Sequence, residues 1–374
     1  MATSPESKHT GIWMENGSGG HMSDLTFIGG QHGMYLGNQQ FFTRNLRFKN
    51  CQTAIYLHWN WQWTFKSLDI TNCKIGVTIE SQPGGKLGVG SCIILDSKFD
   101  SVQVALLTGR ISPNTTIPYT ANSAILDNVK LINVNVAVGR SKTTSTSQNE
   151  TLANREIITL LEGGSKIIDL WGQGYEISNN GRIKEVQGLL KRSFAKPTTL
   201  LNSKGEIFER SRPVYLNLPT AAIISVRTNG AKGDGKTDDT KAIRDIFQKY
   251  GNSNNNIIFF DHGVYLISDT IEIPIGTRIV GEIWAVIMVD GKSFQDSNNP
   301  KPVWKIGKPG DRGSVEMQGL IFQIRGPQPG AIMMQWHSRD ASNTFGTNAM
   351  WDVHFRIGTC RNKYCTILRL GTLC

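Results

Sequence analysis

Leu25-Thr26-Phe27, Leu46-Arg47-Phe48 and Leu68-Asp69-Ile70 share one apolar–polar–apolar pattern, at offsets of 21 and 22 residues (46 − 25 and 68 − 46). A second apolar set keeps step with them: Met34 and Leu36, then Ile55 and Leu57, then Val77 and Ile79. Alternation with a period of two is what a half-buried strand requires, because successive side chains leave opposite faces. Turn residues follow the strands, as in Lys49-Asn50-Cys51 and Thr71-Asn72-Cys73, so Cys51 and Cys73 fall on equivalent rungs. Short strands joined by turns at this period predict one coil of a parallel β-helix. No coil buries its apolar face alone; stacking supplies the core. A leucine-rich repeat has a similar period, but its Leu-x-x-Leu-x-Leu pattern is missing. Leu95–Phe99 and Leu126–Leu131 read as later rungs with longer loops inserted.

Outward from this array, the polar stretch 140–155 reads as a surface loop, and Ile157–Leu161 and Lys166–Leu170 resume strand character. Residues 191–218, with Lys196-Pro197, Asn202-Ser203-Lys204-Gly205 and Arg212-Pro213, read as an interdomain connection. A different unit opens near Ala221. Its tight loop Asn229–Gly235 leads through Thr237-Asp238-Asp239-Thr240 into Lys241–Tyr250, where Ala242, Ile243, Ile246 and Phe247 are spaced for one helical face. Asp238 and Asp239 read as helix-capping acids and not as a catalytic pair, since neighbours on a helix diverge. Ile257–Phe260, Val264–Ile267, Ile271–Ile273 and Thr277–Gly281 then read as new coil strands.

Composition sets the outer bounds. The chain has 374 residues, 39% hydrophobic and 19% charged, a globular balance that excludes wholesale disorder and fits two domains or one long array. No apolar run reaches the length of about 18 residues that a membrane span needs, so no membrane partner is expected. Lys+Arg number 40 against 30 Asp+Glu, a net charge of +10. The basic residues are scattered and not blocked, so no nucleic acid is expected. The six cysteines form no C-x-x-C pair, and no His/Asp/Glu cluster has metal spacing. No metal and no cofactor is expected. N-x-S/T sequons stand at Asn16, Asn114 and Asn149, and the polar N-terminus has no signal-peptide core.

Gly230-Ala231-Lys232-Gly233-Asp234-Gly235-Lys236-Thr237-Asp238-Asp239-Thr240, with Ala242-Ile243, resembles the opening signature of the pectate-lyase-like β-helix superfamily, where it is a structural cap. A phosphate cradle is the alternative, but the Gly-Lys-Ser/Thr ending is missing. Gly17-Ser18-Gly19-Gly20, Met22–Leu25, Gly37-Asn38-Gln39-Gln40-Phe41, Trp59-Asn60-Trp61-Gln62-Trp63-Thr64 and Phe208–Pro213 narrow the resemblance to glycoside hydrolase family 55. It covers nearly all of residues 3–357. It implies an all-β chain of two tandem right-handed parallel β-helical domains, both incomplete. Residues 1–190 are then the C-terminal part of the first β-helix and 191–218 the linker. Residues 219–357 are the N-terminal part of the second β-helix with its cap motif, and 358–374 an aberrant tail. The implied activity is inverting exo-hydrolysis of β-1,3-glucan in the cleft between the helices, by an extracellular monomer. The first helix lacks its own cap motif here, and Thr359–Cys374 breaks the family pattern as a shifted frame, a retained intron or a misplaced gene end would. The family's general-acid Glu lies in later coils, so none of these residues receives that role, and the chain is expected to be inactive as it stands.

Inverting hydrolysis needs a protonated carboxyl at the leaving oxygen and a positioned water on the opposite face of the sugar. The resemblance implies that amide and backbone groups hold the water; Gln39 and Gln40 are the matching candidates, with Thr64 as a further orienting group. Only one of the two amides faces the groove if the segment is extended. Trp59, Trp61 and Trp63 stand at period two and, in an extended strand, form one apolar ledge on which pyranose rings stack, chiefly on Trp61 and Trp63. Packing against the protein itself is the competing reading for each. Glu316, Asp340 and Asp352 are possible groove acids, and His58 and His354 read as isolated. Two other functions compete: a pectin-directed lyase or hydrolase, which the positive charge suits, and a glucan-binding β-helix without turnover.

Overall fold

The computed structural model describes residues 7–79, 88–109, 122–142, 156–193 and 195–356. The chain divides into two compact units, Met1–Phe208 and Glu209–Cys374. It is nearly all β, with parallel sheets that match a pectate-lyase-like β-helix. The sequons at Asn114 and Asn149, most of the stretch 140–155 and the tail 358–374 lie outside the described residues.

In the first unit the repeat of the sequence is the register of the strands. Leu25 pairs with Leu46 and Leu46 with Leu68; Phe27 pairs with Phe48, and Phe48 with Ile70. The second set stacks likewise: Met34 on Ile55, and Ile55 on Val77. Met34, Ile55, Val77, Leu46 and Ile70 have no exposed surface. Each such side chain contributes about 1.5–3 kcal/mol on burial. Cys51 and Cys73 do sit on neighbouring rungs, with the Cys51 N–H 3.4 Å from the Cys73 Sγ.

The corners between strands also stack. Asp24, Asn45, Ser67, Asp96 and Asn128 all have positive φ, and so do Asn50, Asn72, Ser101 and Asn133. Asn, Asp and Ser tolerate this left-handed conformation because their short polar side chains bond locally. The Asn45 amide donates to Asp24 at 2.6 Å, and the Asn128 amide to Asp96 at 2.7 Å.

The parallel order ends where the sequence suggested only more strands. Ile157–Ile177 runs antiparallel to Ser123–Ser141, and Ile183–Leu189 antiparallel to Ile157–Ile177. Two antiparallel strands thus cover the edge of the last parallel coil, an edge that would otherwise template aggregation. The stretch 191–208 is not a free connection. Arg192 forks onto both oxygens of Asp127 at 3.1 and 2.6 Å, Lys196 reaches the same carboxylate at 2.7 Å, and the Ile207 N–H donates to Asp96 at 2.8 Å.

The second unit repeats the plan with parallel columns, the shortest being the pair Arg312–Gly313 and Arg339–Asp340. Ile223–Ser225, Ile257–Phe260 and the first part of Thr277–Val289 form one, continued by Val315–Ile324 and Asn348–Arg356. The helix α1 (Thr240–Tyr250) buries Ile243, Ile246 and Phe247 against this core. The loop before it corrects one expectation. Asp239 stands at the helix N-cap, but its carboxylate makes no capping bond. It accepts instead from the N–H groups of Lys232 and Gly233 at 2.6 and 3.0 Å, clamping the glycine-rich turn. Gly233, at φ 61°, lies so close to the Tyr265 ring that a Cβ would sit 2.8 Å from it. Asp234 is held at a pKa of about 2 by the N–H groups of Thr237 and Lys236. The motif is a folded cap throughout.

Candidate functional site

The side chains between Asn38 and Thr64 meet at a corner of the first unit. Gln40 pairs with Gln62, and Gln62 with Ser91. These residues face outward, so two amides and a hydroxyl form a polar column. Residue by residue, the neighbouring column faces inward: Phe41 pairs with Trp63, and Trp63 with Cys92. Phe41 stacks on Trp63 at 4.8 Å, and Trp63 on Phe65 at 5.5 Å. Gly20 lies over this stack, where a Cβ would come within 2.4 Å of the Phe41 ring. Beside it is an open depression of ≈ 360 Å³, lined by Gly19, Gly20, Gln40, Phe41 and Gln62.

Of the two glutamines expected to hold water, the depression takes Gln40. Gln39 is half-buried, and its backbone is spent on the corner. Its carbonyl accepts the N–H groups of Trp61 and Gln62 at 2.7 and 3.0 Å, and its N–H donates to Gly17 at 3.1 Å. Thr64 is half-buried between its partners Phe42 and Ile93 and is not among the lining residues. Gln62 is the lining residue that sequence reasoning missed; its alignment with Gln40, 22 residues earlier, was the available signal.

The three tryptophans do not form one ledge. Trp59 is 8% exposed, Trp61 58% and Trp63 0%. Alternation fails because the strand Thr53–Thr71 turns a corner, placing Trp59 and Asn60 inward and then Trp61 and Gln62 outward. The buried Asn60 pins that corner: its Oδ1 accepts the Gly90 N–H at 2.9 Å and its Nδ2 donates to the Ser91 carbonyl at 2.8 Å. Trp63 is a core residue whose Nε1 lies 3.4 Å from Thr43 Oγ1. Trp59 donates to Glu15 at 3.2 Å. Only Trp61 offers a face to solvent, beside Gln62.

The isolated histidines have partners. His58 Nε2 lies 2.7 Å from Glu15, and His354 Nε2 lies 2.7 Å from Asp352. Among the possible groove acids, Glu316 is buried and neutralised. Arg210 and Arg278 pair with it and the Tyr215 hydroxyl donates to it at 2.8 Å. Burial first, then the Glu316 carboxylate, raises the Tyr215 pKa. Asp340 ties its own turn through Gly346, Thr347 and Asn348 at 2.7–3.0 Å. Asp352 alone of the three is exposed. Among the described residues, no group of three or more His, Cys, Asp or Glu is placed to hold a metal. Among them, too, no helix is long and apolar enough to cross a membrane.

A family model described as rhamnogalacturonase A/epimerase, pectate lyase-like, matches residues 1–78 and 223–298, the opening coils of both units. A glucan 1,3-beta-glucosidase of Cochliobolus carbonum is 39% identical over 96% of this chain and 43% of its own length. A probable glucan endo-1,3-beta-glucosidase of Arthroderma benhamiae is 34% identical over 94% of this chain and 48% of its own. A protein named non-secreted LysM effector LysM19, of Penicillium expansum, is 37% identical over 97% of this chain and 28% of its own. The parallel stacks and these matches define a pectate-lyase-like protein. Within that class the chain is similar to proteins named glucan 1,3-beta-glucosidase and glucan endo-1,3-beta-glucosidase, the glycoside hydrolase family 55 type, at 34–39% identity. It spans less than half the length of each relative named here.

Proposed function

We propose that this chain is the glucan-binding and water-positioning part of a β-1,3-glucan hydrolase. The observation that carries the reading is the register-paired Gln40 and Gln62 at an open depression, with the exposed Trp61 next to Gln62 in the chain. An indole face stacks on the flat C–H face of a pyranose, and contact area supplies the affinity for a neutral sugar. An amide both donates and accepts, so Gln40 and Gln62 can orient a sugar hydroxyl or an attacking water. The relatives named as glucan 1,3-β-glucosidases supply the substrate class.

In this reading the two units are tandem right-handed parallel β-helices, with boundaries near 1–190, 191–218 and 219–357, and the protein is an extracellular monomer. Hydrolysis is inverting and starts at the chain end. The depression's lining holds no carboxylate, so these groups hold the water and the general acid comes from elsewhere in the protein. Gln40 and Gln62 act as water-positioning groups; Gln39 and Thr64 support them as backbone and flank. Trp61 is the platform, and Trp59 and Trp63 set its position.

Incubation with laminarin, with the product followed by proton NMR, tests this. Release of α-glucose first supports inverting exo-hydrolysis. β-Glucose first overturns the inversion, and mixed oligosaccharides overturn the exo mode. Binding without product keeps the glucan-binding role and leaves turnover to a general acid outside this chain; no binding overturns the reading. The second reading, action on pectin, is favoured by the rhamnogalacturonase description of the family model and the +10 charge. Activity on polygalacturonate and none on laminarin would select it.

A further inference from the structure

The second unit has an exposed tryptophan of its own, on a bulge. In the pairing of Thr277–Val289 with Val315–Ile324, Val280 lies opposite Gln318 and Ala285 opposite Leu320. Residues 281–284 therefore face the single residue Gly319, and the surplus chain is extruded outward. Its tip carries Ile283, 79% exposed, and Trp284, 42% exposed. Ile283 has φ 21°, a region that a β-branched residue rarely adopts. Backbone in such conformations clusters at binding sites.

The indole is oriented. Trp284 Nε1 donates to Asp352 Oδ2 at 2.8 Å, two coils along. The coil between them presents Gly319 at that place, opposite the bulge on one side and Asp352 on the other. A Cβ on Gly319 would sit 2.6 Å from the Gly281 carbonyl. Asp352 Oδ1 lies 2.7 Å from His354 Nε2, and the His354 ring stands edge-on to the indole at 5.7 Å. Burial opposes ionisation of Asp352, but the bonds from Trp284 and His354 outweigh it and lower its pKa. Each carboxylate oxygen keeps a second lone pair. One fixed aromatic ring, an apolar tip and an oriented acceptor within one residue's reach form a recognition set for a neutral sugar: a C–H face for the ring and a hydroxyl for the carboxylate.

We infer that Trp284, Ile283 and Asp352 form a second contact site for a neutral β-glucan chain, on the second unit. This rests on reading the chain as β-1,3-glucan-directed. Fixing the indole beforehand lowers the entropy cost of binding.

Isothermal titration of soluble laminarin into the wild-type chain, Trp284→Ala, Asp352→Asn and Trp61→Ala tests it, with thermal melts as the folding check. Trp284→Ala is expected to weaken binding about 5-fold and Asp352→Asn about 3-fold, at unchanged melting temperature. A Trp284→Phe variant keeps a ring and should recover part of the loss. Unchanged affinity in Trp284→Ala, with a loss in Trp61→Ala, overturns this site and leaves the proposed function standing. No binding of laminarin by the wild-type chain overturns the proposed function, and this site with it.

Discussion

Two corners of this molecule carry an exposed tryptophan, and they are built in opposite ways. At Trp59–Gln62 the chain stays nearly in register, and the indole is exposed because the backbone turns between two sheet columns. The neighbours Trp59 and Trp63 go to the core, and Asn60 bonds the next coil through both amide atoms. At Gly281–Trp284 the register breaks, and extra residues opposite Gly319 bulge outward and carry the indole with them. The first tryptophan is presented by what is buried around it. The second is presented by what has been inserted, and a carboxylate then orients it. Aromatic residues at a given spacing in the sequence can thus have unlike roles, decided by where the coil turns.

The sharpest way to break this contrast is at the buried member of the first corner. Trp63→Ala removes a fully buried indole stacked between Phe41 and Phe65. It should cost about 3–5 kcal/mol of unfolding free energy. Trp61→Ala, two residues away, should stay within about 0.5 kcal/mol. Urea denaturation of both variants checks this; equal losses would erase the distinction between platform and core.

A pH series sharpens the stacking side of the comparison. His32 packs edge-on against Tyr35 and Tyr56 at 5.5 and 5.4 Å, and burial lowers its pKa from 6.5 to about 4. The folded state therefore keeps the imidazole neutral while the unfolded state takes up a proton at about pH 6.5. Stability contributed by the neutral ring is complete above pH 6.5 and falls as the pH drops toward 4. The total loss is about 3 kcal/mol. Denaturation midpoints across this window should fall in the wild type, and His32→Asn should flatten the dependence.

A smaller effect tests the inserted corner. Gly319 has φ 70° and faces the Gly281 carbonyl. Gly319→Ala should cost about 1–2 kcal/mol and change the Trp284 fluorescence, because the added Cβ meets the Gly281 carbonyl at the base of the bulge. A variant as stable as wild type, with unchanged emission, would show that the bulge does not depend on the glycine. The smallest expected change is in affinity: Trp61→Ala should weaken laminarin binding about 5–10-fold, measured by titration.

Most of the fold was legible because stacking makes each rung repeat the last. Leu25, Leu46 and Leu68 align in sequence and pair in space for one reason, the cross-section of the coil. The cap strands 257–260, 264–267 and 271–273 were equally legible from their apolar runs. What escaped was whatever happens at corners and ends. At the corner two inward residues, Trp59 and Asn60, are followed by two outward ones, Trp61 and Gln62, so Trp61 alone of the three tryptophans turns out and Trp63 returns to the core. The antiparallel strands Ile157–Ile177 and Ile183–Leu189 carry the same alternating composition as parallel ones, so their direction left no mark. Asp239 reads as a cap by position and acts as a clamp by geometry, because the glycine turn brings two N–H groups nearer than the helix does. His58 and His354 looked alone because their carboxylate partners are set by coil stacking and strand folding, not by any motif.

In the proposed function the outward column at Gln40 and Gln62 contacts glucan. Side-chain amide NMR signals of these two glutamines, assigned through Gln40→Ala and Gln62→Ala and followed during titration with laminaritriose, test it most directly. The account predicts that both signals move in step with saturation, together with the Trp61 indole N–H. Saturable binding that leaves all three unmoved would contradict it.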